Sequence, residues 1–232
     1  MARVKRGHGC VMIRAGAYKL VARMKLSMKR SLPSSILAFG AVGGVALFLA
    51  GCSEEPPSTV KKKAEPVTGQ TALYRMYQVA RSWAPDAAVL KMNSIHLTEV
   101  PTVRGAAGAW QAEFTSASKS AQRTYTYSVV ESEGNLHEGV FPGPEQSWGG
   151  PASQPFMVGA VKVDTDAAYQ KALTKASEYN AKNSKQTISF ELGKQEGSEN
   201  PVWRVIWGES AGTSGLSVLV DAMTGEYIKT LH

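Results

Sequence analysis

The feature that most constrains this chain is a pattern of apolar residues that occurs twice. In the first copy, five positions fall at i, i+3, i+4, i+7 and i+10, on one face of a helix: Leu73, Met76, Tyr77, Ala80 and Trp83. Each has an apolar counterpart 96 residues later: Tyr169, Ala172, Leu173, Ala176 and Tyr179. The repeat predicts two helices that pack in the same way.

Capping signals support both helices. Thr71 is a suitable N-cap for the first helix, and Pro85 ends it. An Asp-Thr-Asp cluster at residues 164–166 precedes the second helix and favours a capped start. Because capping explains these two aspartates, they do not indicate a cation site.

Strand patterns follow each helix. Residues 88–92 and 188–192 each predict a strand directly after the helix. The next strand is predicted from alternating apolar and polar residues. Its apolar positions are Trp110, Ala112 and Phe114 in the first copy and, 93 residues later, Trp203, Val205 and Trp207 in the second. A third strand holds Tyr125, Tyr127 and Val129, matched 91 residues later by Leu216, Val218 and Val220. The predicted fold is α+β, with two tandem units of a helix and an antiparallel sheet.

The segment between the copies is rich in proline and glycine. Residues 138–155 hold four prolines, so we expect no regular element to run through them. Phe141, Trp148 and Phe156 are large aromatics, and we expect them to pack on the sheets and fix one copy against the other. The predicted boundaries are therefore a first unit over residues 71–137, a linker over 138–163 and a second unit over 164–232.

Charge is distributed unevenly along the chain. The net charge is +7, but residues 1–51 hold nine Lys and Arg and no acidic residue, which leaves 17 basic against 19 acidic residues in the remainder. The remainder therefore has no basic excess for phosphate neutralisation, so nucleic acid is not an expected partner. With 43% hydrophobic and 19% charged residues, the chain as a whole belongs to the globular classes.

The basic leader ends in an apolar run. Residues 36–50 are uncharged and too few for a membrane-spanning helix, which needs about 20 residues, so residues 1–51 are interpreted as a leader with a signal peptide. The run ends in Leu49, Ala50, Gly51 and Cys52, a tetrapeptide that resembles the lipobox of bacterial lipoproteins. The resemblance implies acylation of Cys52 and anchoring in the cell envelope. The long basic extension favours Met24 or Met28 as the true start.

The residues after Cys52 have the composition of a flexible tether. Residues 53–70 contain three prolines and six charged residues, so we interpret residues 52–70 as the acylated cysteine and its tether. In lipoproteins, the residue after the acylated cysteine influences sorting. Ser53 in that position implies the periplasmic face of the outer membrane rather than the inner membrane.

The end of the second copy resembles a known domain family. Its strands read WRVIW at residues 203–207 and LSVLVDAMTGE at residues 216–226, which is similar to the end of a PepSY domain. The first copy is less similar, with VVESEG at residues 129–134 in place of the aspartate turn. Within this turn, Asp221 is suited to bind backbone N–H groups and Gly225 to adopt positive φ. The resemblance implies a non-catalytic binding or peptidase-modulating role.

The sequence offers little for catalysis. Residues 208–212 match the G-x-S-x-G motif, and Ser210, Asp221 and His232 follow in the order of a hydrolase triad, but the context is two strands rather than a strand and a helix. A serine hydrolase through Ser210 is thus a remote alternative to a hairpin loop. His96, His137 and His232 lack neighbours at metal-ligand spacing, so no metal or cofactor is expected.

Together these patterns predict a lipid-anchored envelope protein that is not an enzyme. Its expected partners are the membrane, through Cys52, and an envelope protein or peptide bound at an edge strand of the second copy. A different class stays open, in which the chain carries a small ligand between the two units, with Trp148 and Phe156 at the edge of that crevice.

Overall fold

The structure is a computed structural model that describes residues 63–134, 136–150 and 154–232. The predicted leader with Met24 and Met28, the lipobox residues Leu49, Ala50 and Gly51, the cysteine Cys52 and the tether up to residue 62 lie outside the described residues.

Two helix-and-strand segments follow one another in the described chain. The elements are, in order, β1 (Val67–Thr68), α1 (Gly69–Trp83), β2 (Ala88–Ile95), β3 (Ala106–Ala107), β4 (Ala109–Ser116), β5 (Ala121–Ser128), β6 (Gly139–Ser147), a 3-10 turn (Val158–Ala160), α2 (Thr165–Lys175), α3 (Ser177–Lys182), β7 (Ile188–Lys194), β8 (Pro201–Trp207), β9 (Leu216–Asp221) and β10 (Tyr227–Leu231).

Eight strands form one antiparallel sheet in the order β10-β9-β8-β7-β2-β4-β5-β6. The first long strands of the two copies, β2 and β7, pair at its centre, with Met92 opposite Leu192. One face carries both helices: α1 packs on β4, β5 and β6, and α2 packs on β8, β9 and β10. The α+β class is confirmed, and the two copies share a continuous sheet.

Within this sheet the two copies place equivalent residues in equivalent positions. Trp110 and Trp203 are fully buried under the helices. The indole Nε1 of Trp110 donates to the carbonyl of Val67 at 3.0 Å, and that of Trp203 donates to the carbonyl of Val163 at 2.8 Å. Because Val67 and Val163 each lie two residues before a helix, the same bond ties strand to helix start in both copies.

The first helix begins earlier than the sequence predicts, whereas the second begins at Thr165 with Asp164 as its N-cap, as predicted. Thr71 is not the N-cap of α1, because the helix begins at Gly69 after the extended residue Thr68. Tertiary bonds decide this start: the backbone N–H of Gly69 donates to Thr165 Oγ1 at 2.8 Å, and that of Gln70 donates to Asp164 Oδ1 at 2.9 Å. Residues 67–70, predicted as tether, therefore belong to the folded unit.

The second helix is not continuous to Tyr179 as the repeat predicts. It is interrupted at Ala176, whose φ of −116° and ψ of 20° are not helical, and α3 continues beyond it. The break allows Asn180 Oδ1 to accept a hydrogen bond from Trp207 Nε1 at 3.0 Å. It also brings the Tyr179 hydroxyl against Gly215, so close that a Cβ on Gly215 would overlap it.

The prediction that no regular element crosses residues 138–155 is wrong. Residues 139–147 form β6, the edge strand beside β5. Tyr125 lies opposite Pro142, and Arg123 lies opposite Glu145. The register shift between these two pairs accommodates one extra residue in β6. An edge strand tolerates proline because one of its sides has no ladder to break. The first unit thus extends to Ser147, and each copy has four long strands rather than three.

The rest of the linker contacts both copies. Phe156 exchanges two backbone hydrogen bonds with Val89 of β2, and the N–H groups of Lys162 and Val163 donate to the carbonyl of Ala222. Phe156 is buried, as expected for an aromatic that holds the copies together. Phe141, by contrast, is 42% exposed and packs its ring on His137.

The sheet face opposite α1 and α2 differs between the copies. In the first copy, the residues that point there are polar, including Gln111, Glu113 and Thr126. In the second copy, Val202, Ile206 and Leu219 point there and are buried, although α1 and α2 occupy the other face. The two copies are therefore alike on the sheet face that packs against the helices, and they differ on the opposite face.

Candidate binding site at the sheet edge

The turn predicted around Asp221 and Gly225 joins β9 to β10. Asp221 Oδ1 accepts hydrogen bonds from the backbone N–H groups of Met223 at 2.8 Å and Thr224 at 2.9 Å. Gly225 has a φ of 77°, and its N–H donates to the carbonyl of Asp221 at 2.9 Å. This turn sets where the last strand begins.

Opposing effects act on the Asp221 carboxyl. Partial burial raises its pKa, but the side chain of Asn200 and the backbone N–H groups of Thr224 and Met223 donate to the charged form and leave the pKa below its usual range. The carboxylate is fully engaged in holding the turn. Its geometry is that of a structural residue.

The three residues in triad order are not brought together. Ser210 lies in the loop before β9, where its Oγ bonds to Thr213 Oγ1 at 3.0 Å. Asp221 ends β9, and at about 3.4 Å per residue it lies roughly 17 Å along the strand from Leu216, which follows that loop. His232 follows Leu231, which pairs with Ser217, so it also lies at the opposite end of β9 from Asp221. A general base and its orienting acid must be within hydrogen-bond reach of each other, and His232 and Asp221 are not.

The predicted histidines lie apart from one another. His137 Nδ1 contacts Glu131 Oε1 at 2.6 Å, whereas His96 lines a cavity at the centre of the sheet. In the part of the chain that the structure describes, no group of three His, Cys, Asp or Glu residues is placed to hold a metal ion.

The sheet has two edges, and they differ in chemistry. β6 carries Pro142 and Pro144 and is further held by Trp83, whose Nε1 donates to Glu145 Oε2 at 2.6 Å. β10 has no proline and exposes two large apolar side chains, Tyr227 at 38% and Ile228 at 42%. Only β10 therefore offers an apolar edge free of proline.

The orientation of the β10 backbone follows from the bonds around the turn. The N–H of Ala222 donates to Pro201 of β8, whereas that of Asp221 donates to Glu226 on the β10 side. Backbone groups alternate along a strand, so Val218 turns its N–H and carbonyl towards β8. Thr230 pairs with Val218, so its own N–H and carbonyl face away from β9, towards the open edge.

A groove lies beside this edge. Its volume is about 450 Å³, and it is lined by residues of α2, α3, β9 and β10, among them Lys175, Lys182, Leu216, Thr230 and His232. Lys175 Nζ stands 4.8 Å from the ring centre of Tyr227, and the Tyr227 hydroxyl bonds to Thr230 Oγ1 at 3.1 Å. The lysines outnumber the one carboxylate of the lining, Glu178, so the groove favours an acidic partner.

The strand pattern of the sequence did not include β10. Its sequence YIKTL is rich in β-branched and aromatic residues, and it follows the turn at Asp221 and Gly225. These two features together indicate a strand. Trp148 and Phe156, which were expected together at the edge of a crevice between the two units, lie apart. Trp148 follows β6 at the far edge of the sheet, and Phe156 is paired with β2.

Comparisons with known proteins give little to build on. No family model matches the chain, and no curated protein matches it. One solved structure from Clostridium difficile 630, described as a "putative lipoprotein", aligns with a TM-score of 0.47 and 8% identity, over 74% of this chain and 95% of that chain. Among the described residues, no helix is long and apolar enough to cross a membrane.

Proposed function

We propose that this chain is a cell-envelope lipoprotein, anchored through Cys52, that binds an extended segment of a partner protein or peptide along β10 of its second copy. The role is non-catalytic, as the resemblance of the second copy to PepSY domains implies. Ser53 after the anchor favours the periplasmic face of the outer membrane over the inner membrane.

The order of segments supports the anchor. A basic and apolar leader is followed by Leu49, Ala50, Gly51 and Cys52, and then by a polar tether that leads to the folded unit. With residues 67–70 in the folded unit, a random coil over the 14 residues 53–66 gives an average span of about 20 Å. A lipid at Cys52 would therefore hold the folded unit close to a membrane.

The anchor is tested by metabolic labelling with palmitate. We expect the Cys52→Ala protein to carry no label and to be released or to keep its leader. Ser58→Ala is the matched control, because it makes a similarly small change in the predicted tether and should leave the labelling unchanged. Persistent label in the Cys52→Ala protein would contradict the anchor.

The single observation that carries the binding role is the β10 edge. It combines exposed apolar side chains, freedom from proline and an adjacent groove of about 450 Å³. An added strand gains main-chain hydrogen bonds from the edge and specificity from side chains that enter pockets beside it. Lys175 and Lys182 in the groove favour a peptide with acidic side chains.

The edge is tested with two variants of one residue. Thr230→Pro removes the N–H that faces the open edge, whereas Thr230→Ala keeps that N–H and removes the hydroxyl and methyl group of the side chain. We expect the Pro variant to lose partners that the wild type captures from solubilised envelope, and the Ala variant to retain them. Circular dichroism of all three proteins checks that the fold is unchanged.

The outcomes separate the alternatives. Capture of the same partner by the Pro variant would exclude main-chain pairing at Thr230. Loss of the partner by both variants would assign binding to the side chain instead of the edge.

A further inference from the structure

The centre of the sheet opens into a crevice at one end of β2 and β7. Their ladder is short, running from Lys91 opposite Gly193 to Asn93 opposite Glu191. Beyond it, the N–H of Phe190 donates to the side-chain Oγ of Ser94 at 2.9 Å instead of to a backbone carbonyl. The strands diverge from this point, and the segments that continue them form the walls of a cavity of about 370 Å³.

The charge of this cavity is of one sign. Its lining includes Arg104 and His96 from the loop after β2, and Lys185 from the segment before β7, with no aspartate or glutamate. The hydroxyls of Thr102 and Tyr169 belong to the same lining. Two permanent cations with hydroxyl donors beside them are suited to a phosphate group, whose oxygens accept several hydrogen bonds.

The backbone that carries Arg104 is held in an unusual conformation. Arg104 has a φ of 49°, which non-glycine residues rarely adopt. The next residue, Gly105, lies so close to α2 that a Cβ on it would be 2.5 Å from the Cα of Asp166. The hydroxyl of Thr165 also donates to the carbonyl of Gly105. The loop of the first copy is thereby fixed to the second copy, which places Arg104 firmly at the crevice.

An unused acceptor lies in the same wall. The side-chain Oε1 of Gln186 is buried and has no hydrogen-bond partner among the described residues. A buried acceptor without a donor is costly, and most such groups are satisfied in native proteins. A rotation of the Gln186 side chain that turns this oxygen into the cavity would let a ligand hydroxyl satisfy it.

From these observations we propose that the crevice binds a phosphate ester of a small polyol, of which glycerol phosphate is the simplest example. Arg104 and Lys185 bind the phosphate, and Gln186 accepts a hydrogen bond from a polyol hydroxyl. The site shares no lining residue with the groove beside β10, so this binding goes beyond the proposed function.

Calorimetry with the full purified chain tests the site. The probes are glycerol 3-phosphate, inorganic phosphate and glycerophosphoglycerol, the deacylated headgroup of a phospholipid. We expect glycerol 3-phosphate to bind saturably with a Kd below about 1 mM and more tightly than inorganic phosphate. Arg104→Asn, which tolerates positive φ, and Lys185→Gln should each weaken binding about tenfold or more.

Two further variants sharpen the test. Lys171→Gln removes an equal charge from an exposed site on α2 outside the crevice, and it should bind glycerol 3-phosphate like the wild type. Gln186→Met keeps the size of the side chain but removes the acceptor. We expect it to bind glycerol 3-phosphate no more tightly than inorganic phosphate.

Each result decides a point. Tighter binding of glycerophosphoglycerol than of glycerol 3-phosphate assigns the site to a lipid headgroup, and the reverse assigns it to a soluble phosphate ester. No saturable binding up to about 10 mM, or equal loss in the Lys171→Gln and Arg104→Asn proteins, would overturn the site. An undiminished preference for the polyol ester in Gln186→Met would overturn the role of Gln186. The Thr230→Pro protein should bind these probes normally. Failure of the crevice proposal and failure of the β10 binding proposal can therefore be distinguished.

Discussion

At the scale of single residues, aspartates fix the turns of this chain by accepting backbone N–H groups. Asp164 Oδ1 accepts from Thr165 of α2 and from Gln70 of α1, so one carboxylate serves two helix starts. Asp221 does the same for the turn between β9 and β10. Asp86 holds the hairpin between β4 and β5 through Ser116 and Ser118. At Asp86 and Asp221 these bonds favour the charged carboxylate.

Asp86 gives a prediction on pH dependence. Hydrogen bonds from the Ser116 side chain and the Ser118 backbone lower the pKa of Asp86 from 3.8 to about 2. A carboxyl with a lowered folded-state pKa adds stability above its unfolded pKa, and this is lost as the pH falls towards 2. We expect the free energy of unfolding to fall less in Asp86→Asn than in the wild type between about pH 5 and pH 2.

Urea unfolding at both pH values measures this difference. The carboxyls of Glu131 and Asp221 also have lowered pKa values, so the wild type alone would not isolate Asp86. Asp221→Asn is the comparison variant, and we expect it to lose only the acid sensitivity that the Asp221 carboxyl contributes. Equal acid sensitivity of Asp86→Asn and wild type would show that the Ser116 and Ser118 bonds do not shift the titration.

At the scale of elements, the two helix starts meet each other and the two central tryptophans. A Cβ on Gly69 would lie 2.7 Å from Thr165 Cγ2, 2.8 Å from Trp203 Cη2 and 3.2 Å from Trp110 Cη2. Glycine is thus required at the first residue of α1 by close approach, while Thr165 fills the equivalent place in α2. The repeat is asymmetric at this contact because two side chains cannot occupy the same space.

Gly69→Ala tests this contact. We expect it to lower the free energy of unfolding by about 1 to 3 kcal/mol, because the added methyl group overpacks a buried site between both copies. Gly212→Ala is the control, since no atom lies within 4 Å of a Cβ there. Thermal unfolding measures both, and a Gly69→Ala protein as stable as the control would contradict the packing.

At the scale of the whole molecule, the copies are joined by the sheet, by the linker and by their helix starts. β2 pairs with β7, Phe156 binds β2, and Asp164 binds α1. The main apolar cluster also runs through both copies, from Leu73 to Val220. A cluster and sheet shared in this way predict one cooperative unit instead of two domains that fold separately.

Denaturant unfolding tests that cooperativity. We expect tryptophan fluorescence and far-ultraviolet circular dichroism to report coincident transitions, since Trp110 and Trp203 share one buried cluster. Asp164→Ala should move both transitions by the same amount, although the residue belongs to the second copy. Two separate transitions, or a shift in one probe alone, would show that the copies unfold independently.

The candidate sites were only partly predictable from the sequence. The turn at Asp221 and Gly225 was found because turn chemistry is local, and its geometry depends on residues within a few positions. The edge was expected in the second copy, but β10 itself was not identified. Arg104 could not be grouped with Lys185 and Gln186, because it lies 81 residues before Lys185 and meets that segment only where β2 and β7 diverge.

The repeat could be predicted from sequence alone, and so could the inward faces of the helices and the strands that carry Trp110 and Trp203. The reason is that helix and strand periods are properties of neighbouring residues. Tertiary structure decided that α1 starts at Gly69, that β6 passes through Pro142 and Pro144, and that the two copies share one sheet. Those outcomes depend on partners distant in sequence: Asp164 and Thr165 for the helix start, the open side of an edge for the prolines, and the pairing of β2 with β7 for the sheet. The local periodicity of the sequence does not identify such partners.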